Sequence, residues 1–168
     1  MRENCTPYVD MTTEKSDQTS QPRFGELNRE ECERLLDRNH MGRIAFSFHD
    51  RVDIAPIHYV YANGWIYGRT SHGSKLTTIA HHRWVAFEVD ECESIFDWRS
   101  VVVKGSFDIV DPATSTTEDP AFRHGVNLLR TLIPETLTGS DPVPFRQSVF
   151  RIHLDEVTGR EARWKKSD

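Results

Sequence analysis

Cysteine is scarce in this chain. There are three, Cys5, Cys32 and Cys92, widely spaced and with no CxxC. That pattern gives no disulfide framework and suits a reducing cytoplasm. Long apolar runs are missing too. Stretches such as Val101-Val102-Val103 span only a few residues, far short of the ~20 that a membrane-crossing helix needs. Residues 1–25 lack the apolar centre of a secretory signal. Nor is there a basic excess: 21 Lys and Arg face 26 Asp and Glu, for a net charge of −5. A general nucleic-acid binder needs a basic face to neutralise phosphates, so the balance argues against that class. Eight histidines are present, yet none forms HExxH or a Cys/His ligand spacing, and no dedicated metal site is expected. There is no GxSxG, and Cys32 and Cys92 lie in segments that read as structural, so no Ser or Cys nucleophile is indicated. No catalytic acid or base stands out.

Hydrophobic residues make up 37% of the chain, a low share. Part of the deficit falls at the N-terminus, where TTEKSDQTSQP cannot bury enough apolar surface to order itself. Residues 1–24 therefore read as a disordered polar tail; the alternative is an arm that orders on a partner. Residues 25–168 read as one domain, large enough for a real core.

Within that domain, Asn28 and Glu31 have capping-box spacing. Cys32, Leu35 and Leu36 follow at helical intervals, so a helix is expected over Asn28–Asn39, ended by Gly42. Strands follow at period two: Arg43–His49, Val52–Tyr61, Trp65–Thr70, a segment around Val85–Val89, Trp98–Val110, and a last one at Val149–Leu154. Asp50-Arg51 reads as a short turn and Asn63-Gly64 as a two-residue hairpin turn. Two more helices are expected, Ser74–His82 and Ala121–Ile133, the latter stopped by Pro134. Loops fill Asp111–Pro120 and Thr138–Pro144. Six antiparallel strands with tight turns favour a barrel. Pro56 lies within a strand, which fits an edge or a bulge.

The segment most suggestive of chemistry is Ile66–Leu76, IYGRTSHGSKL. It joins a strand to a short helix, and helix starts favour anions through free N–H groups and the dipole. Arg69 offers a forked set of donors and Lys75 a point charge, with hydroxyls at Thr70, Ser71 and Ser74. His72 sits in the same turn. An ordinary strand–turn–helix with exposed cations and a Ser cap remains the plain alternative.

The order MGRIAF, IAPIHYVYANGWIYGRTSHGSKL, VAFEVDE, DWRSVVVKGSFDIV and VFRIHLDEVTGR resembles the pyridoxamine 5'-phosphate oxidase-related proteins of the FMN-binding split barrel superfamily. The nearest branch is similar to the nitroimidazole-resistance proteins. The resemblance covers about residues 26–164. It implies a mainly β fold with flanking helices, a six-stranded antiparallel split barrel, and a homodimer with FMN at its interface. By position, Ser74 and Lys75 match the phosphate-binding turn, and Arg69, Thr70 and Ser71 match the strand end lining phosphate and ribityl chain. His58 and Tyr59 match the strand beside the flavin ring. Trp98 and Ser100 match a segment that reaches the flavin in related dimers. Arg69 departs from the nitroimidazole-resistance pattern, which often has His there. The resemblance implies an FMN-dependent oxidoreductase acting on a small molecule in the cytoplasm. A non-catalytic flavin sensor or carrier, or a haem- or deazaflavin-binding barrel, is the alternative. On this reading Arg69→Ala and Lys75→Ala each weaken FMN binding and leave the fold intact.

Overall fold

The computed structural model describes residues 21–48, 51–71, 83–110 and 120–164. Helix α1 (Arg29–Arg38) begins where the capping box placed it. The Asn28 side chain accepts from the Glu31 N–H at 3.0 Å, and the Glu31 carboxylate accepts from the Asn28 N–H at 2.8 Å. The helix ends at Asn39, whose amide donates to the Leu35 carbonyl at 2.9 Å. Gly42, expected to end it, lies instead inside a strand.

Eight strands form one antiparallel sheet: β1 (Pro22–Leu27), β2 (Met41–Phe48), β3 (Arg51–Ala62), β4 (Trp65–Thr70), β5 (Trp84–Ser94), β6 (Asp97–Val110), β7 (Ser148–His153) and β8 (Glu156–Trp164). The order is β1-β8-β6-β5-β2-β3-β4-β7, and an additional β6–β7 pairing closes β2 to β7 into a ring. These six are the strands that period-two patterning picks out. The other two, β1 and β8, pair with each other and extend the sheet beyond β6. Two boundaries move as a result. Residues 22–24, assigned to the tail, belong to β1, and the strand at Val149–Leu154 is followed by another.

The ring is split because β3 and β6 each change partner midway. Residues 51–58 of β3 pair with β2, whereas residues 59–62 pair with β4. Along β6, residues 97–106 pair with β5, and residues 107–110 pair with β7. The hairpin between β3 and β4 turns at Asn63 (φ 49°) and Gly64 (φ 81°), left-handed at both positions as a type I′ turn requires. Pro56 lies on the stretch of β3 that has a strand on one side only among the described residues. Tyr59 donates its N–H to His40, toward β2. By alternation the main chain at Pro56 points the other way, so its missing N–H breaks no ladder.

The core fills the ring. Ile44, Tyr59, Ile66, Phe87, Val101, Val103, Phe107, Phe150 and Ile152 meet Cys32, Leu35 and Leu36 of α1 across one end. A second helix, α2 (Pro120–Leu132), packs Val126 and Leu129 against Val60 and Val149 on the outside of β3 and β7. Among the described residues no helix is long and apolar enough to cross a membrane. The expected helix at 74–82, residue 50 of the first turn, most of the 111–120 loop and residues 1–20 lie outside the described residues.

Candidate functional site

β3 and β4 stay paired from the hairpin turn back to Tyr59 and Gly68, then part. Outward-facing residues alternate along both strands, so Val60 and Tyr67 form one outward pair and His58 and Arg69 begin the next. α2 covers the first pair. Over the second lies a cavity of about 220 Å³, walled by His58, Arg69, Leu129, Leu132, Ile133, Thr136, Pro142, Val143 and Arg146. Two sequence candidates, His58 and Arg69, therefore share one cavity. Thr70 and Ser71 follow Arg69 at the end of β4, half-buried and exposed respectively. Ser74, Lys75 and His72 lie outside the described residues.

Arg69 is committed elsewhere. Its guanidinium grips Asp141 with both terminal nitrogens, one of them at 3.0 Å, and the two side chains are only 6% and 2% exposed. Asp141 also accepts from the N–H groups of Leu137 (2.7 Å) and Val143 (2.9 Å). Four donors thus satisfy one carboxylate. The Arg69 hydrogen bonds, aided by those two N–H groups, hold its carboxyl well below the usual carboxylate range. This buried pair ties the 133–146 segment to the barrel, and Arg130 adds a bond from Nε to the Thr136 carbonyl at 3.1 Å. Arg69 therefore builds the cavity wall. The expectation that Arg69→Ala leaves the fold intact is corrected: that change would leave Asp141 buried without its counter-charge.

Tyr59, expected on the strand beside the flavin ring, turns its side chain into the core. Its ring is fully buried, edge-on to Phe87 at 4.9 Å, and its hydroxyl donates to the Leu36 carbonyl at 2.8 Å. Burial pushes its phenol pKa up. It is a core residue pinning α1 to β3.

Trp98 and Ser100 sit on the outer face of β6, three strand steps from His58. At about 4.8 Å per step that is roughly 14 Å, too far for one small ligand to touch all three within a single chain. Ser100 Oγ donates to Glu88 at 3.2 Å, and Arg43 pairs with Glu88 and Asp90. The same face carries exposed apolar side chains at Met41, Val52, Ile54 and Trp84.

Four residues that sequence reasoning did not single out shape the cavity: Leu129 and Leu132 roof it, Asp141 braces it, and Arg146 charges it. Arg146 is half-buried, and its guanidinium contacts the Phe145 ring at 5.9 Å with no carboxylate in ion-pair range among the described residues. A second recess of about 210 Å³, near α1, has Arg34, Arg38, Arg99 and Arg163 in its wall. Each of these pairs with Glu30, Glu91 or Glu161, and the bond to Arg38 draws Glu91 down to about 2. No group of three or more His, Cys, Asp or Glu among the described residues could hold a metal.

Comparison with known proteins follows the same outline. The family model described as Pyridoxamine 5'-phosphate oxidase matches residues 28–161. An uncharacterized protein of Rhizobium meliloti is 26% identical over 147 residues, 81% of this chain and 93% of that protein. The crystal structure of a FAD-binding protein from Mesorhizobium loti superposes with a TM-score of 0.67 at 25% identity, covering 83% of this chain and 99% of the other. A FAD-binding protein from Mycobacterium smegmatis is similar at a TM-score of 0.59 and 25% identity, over 82% and 98% of the two chains.

Proposed function

The chain belongs to the pyridoxamine 5'-phosphate oxidase family, and on that premise we propose that it is an FMN-dependent oxidoreductase acting on a small molecule, with the flavin held between two copies of the chain in the cytoplasm. The observation that carries this is the parting of β3 and β4 inside a family match that spans the whole barrel. Relatives described as FAD-binding support a flavin; FMN is the finer choice, because the turn IYGRTSHGSKL suits one terminal phosphate.

The residues at the strand ends fit such a cofactor by their chemistry. Thr70 and Ser71 offer hydroxyls for ribityl and phosphate oxygens, and Ser74 and Lys75 would take the phosphate. His58 lies beside the cavity mouth, where it can orient what enters. Bound flavin supplies the hydride or electron chemistry; the chain supplies position, charge and exclusion of water.

Two copies answer the separation of His58 from Trp98 and Ser100, since the second chain's β6 can approach the first chain's β3. Val52 and Ile54, 73% and 62% exposed, form an apolar stripe suited to that contact. FMN titration tests the cofactor site. Lys75→Ala should weaken binding about ten-fold or more, in line with one lost charge-assisted bond. Unchanged affinity would move the phosphate elsewhere. Light scattering tests the pairing: Ile54→Glu should convert a dimer to a folded monomer, and a wild-type monomer that retains FMN would remove the interface from the proposal.

A further inference from the structure

The cavity under α2 combines two properties. Its roof is aliphatic, built from Leu129, Leu132, Ile133 and Val143. Its charge has no counter-ion among the described residues. Arg69 is neutralised by Asp141 and stays inside its own pair, whereas Arg146 reaches the wall with, among the described residues, only the Phe145 ring against it. A half-buried guanidinium in apolar surroundings gains most from an anion that brings its own apolar body, because the ion pair then forms away from water. A carboxylate matches the guanidinium fork with two parallel bonds. The size agrees: about 220 Å³ lies below the ~300–1,000 Å³ typical of drug-sized ligands, and suits a ring or short chain with one charged group.

We propose that this cavity binds small apolar carboxylic acids, the body packed on Leu129, Leu132 and Ile133 and the carboxylate paired with Arg146. That such an acid is the flavin's substrate rests on the function proposed above; the binding itself does not.

The test uses FMN-treated full-length protein and isothermal titration with benzoate, phenylacetate and 1-naphthoate, each against its neutral amide. At least one acid should bind about ten-fold or more tightly than its amide, the margin of one charge-assisted bond. Arg146→Gln should erase that margin while leaving amide affinity alone. Arg146→Lys should keep part of it. Ile133→Asn should weaken acid and amide together. Acids and amides that bind alike in all three pairs, or an acid preference that survives Arg146→Gln, would overturn the proposal. So would Arg146→Gln losing FMN rather than the acid, because the guanidinium would then belong to the cofactor. Repeating the titration on flavin-free protein separates the two claims. Acid binding without any FMN uptake keeps the cavity site and removes the flavin reading. FMN uptake without acid preference removes the cavity site alone.

Discussion

Replacing Asp141 by Asn keeps the side chain's size and deletes the charge that neutralises Arg69. Both side chains are almost wholly buried, so solvent cannot make up the loss. Removing one partner of such a pair costs about 3–5 kcal/mol, since the other charge stays buried. Leu137 and Val143 donate to different oxygens of the carboxylate, so the new amide also turns its NH2 toward one of these two N–H groups, where an acceptor is needed. Against a typical domain stability of about 5–15 kcal/mol this is a large fraction. A domain of this size shifts by roughly 2–4 °C per kcal/mol, so Tm should fall by about 6–20 °C. Urea denaturation at neutral pH and differential scanning calorimetry both read this. The double variant Arg69→Met/Asp141→Leu should be more stable than either single charge deletion, because no lone charge remains. Acid titration adds a second check. Arg69 depresses the folded pKa of Asp141, so its contribution is complete above the unfolded value of about 4 and disappears as pH falls below it. Wild type should lose stability more steeply than Asp141→Asn on that descent. A loss under about 1 kcal/mol in the single variant, or a double variant equal to the sum of the singles, would mean that Arg69 and Asp141 are not a coupled buried pair.

Other consequences are simpler to check. Asn28→Ala removes the α1 cap and should cost about 1 kcal/mol by urea denaturation; no change would mean that core packing alone sets the helix start. Gly105→Ala should cost about 3 kcal/mol or more, or yield insoluble protein, because a Cβ there would sit 1.8 Å from the His153 carbonyl oxygen. A stable Gly105→Ala protein would contradict the β6–β7 closure. In a Cys5→Ser background, a thiol reagent should label exposed Cys92 at once and buried Cys32 only on unfolding, since burial also raises the Cys32 pKa. Equal labelling rates would mean that α1 does not cover the barrel as described.

The six closing strands were legible because each buries one face, and alternation records that directly. β1 and β8 left no such trace. In β8, Gly159 faces α1, where Cys32 Sγ would lie 2.5 Å from any added Cβ, so close packing suppresses the apolar signal that marks a strand. The capping box and the Asn63-Gly64 turn are local and were readable in full. Arg69 was not, because its partner is 72 residues away in a loop. A cation ahead of a Gly-Ser-Lys turn looks like a phosphate ligand until that loop folds over it. Tyr59 alternated correctly, but alternation does not say which face looks inward. Arg146 gave no signal: an arginine in a Pro-rich loop is ordinary until its neighbours prove apolar.

A flavin in this barrel can be read from the absorbance spectrum of the purified protein after incubation with FMN and gel filtration. The expected result is two broad flavin bands, about one FMN per chain, and fluorescence that appears when the protein is denatured. A colourless protein that takes up no FMN, or a single intense Soret band, would contradict it.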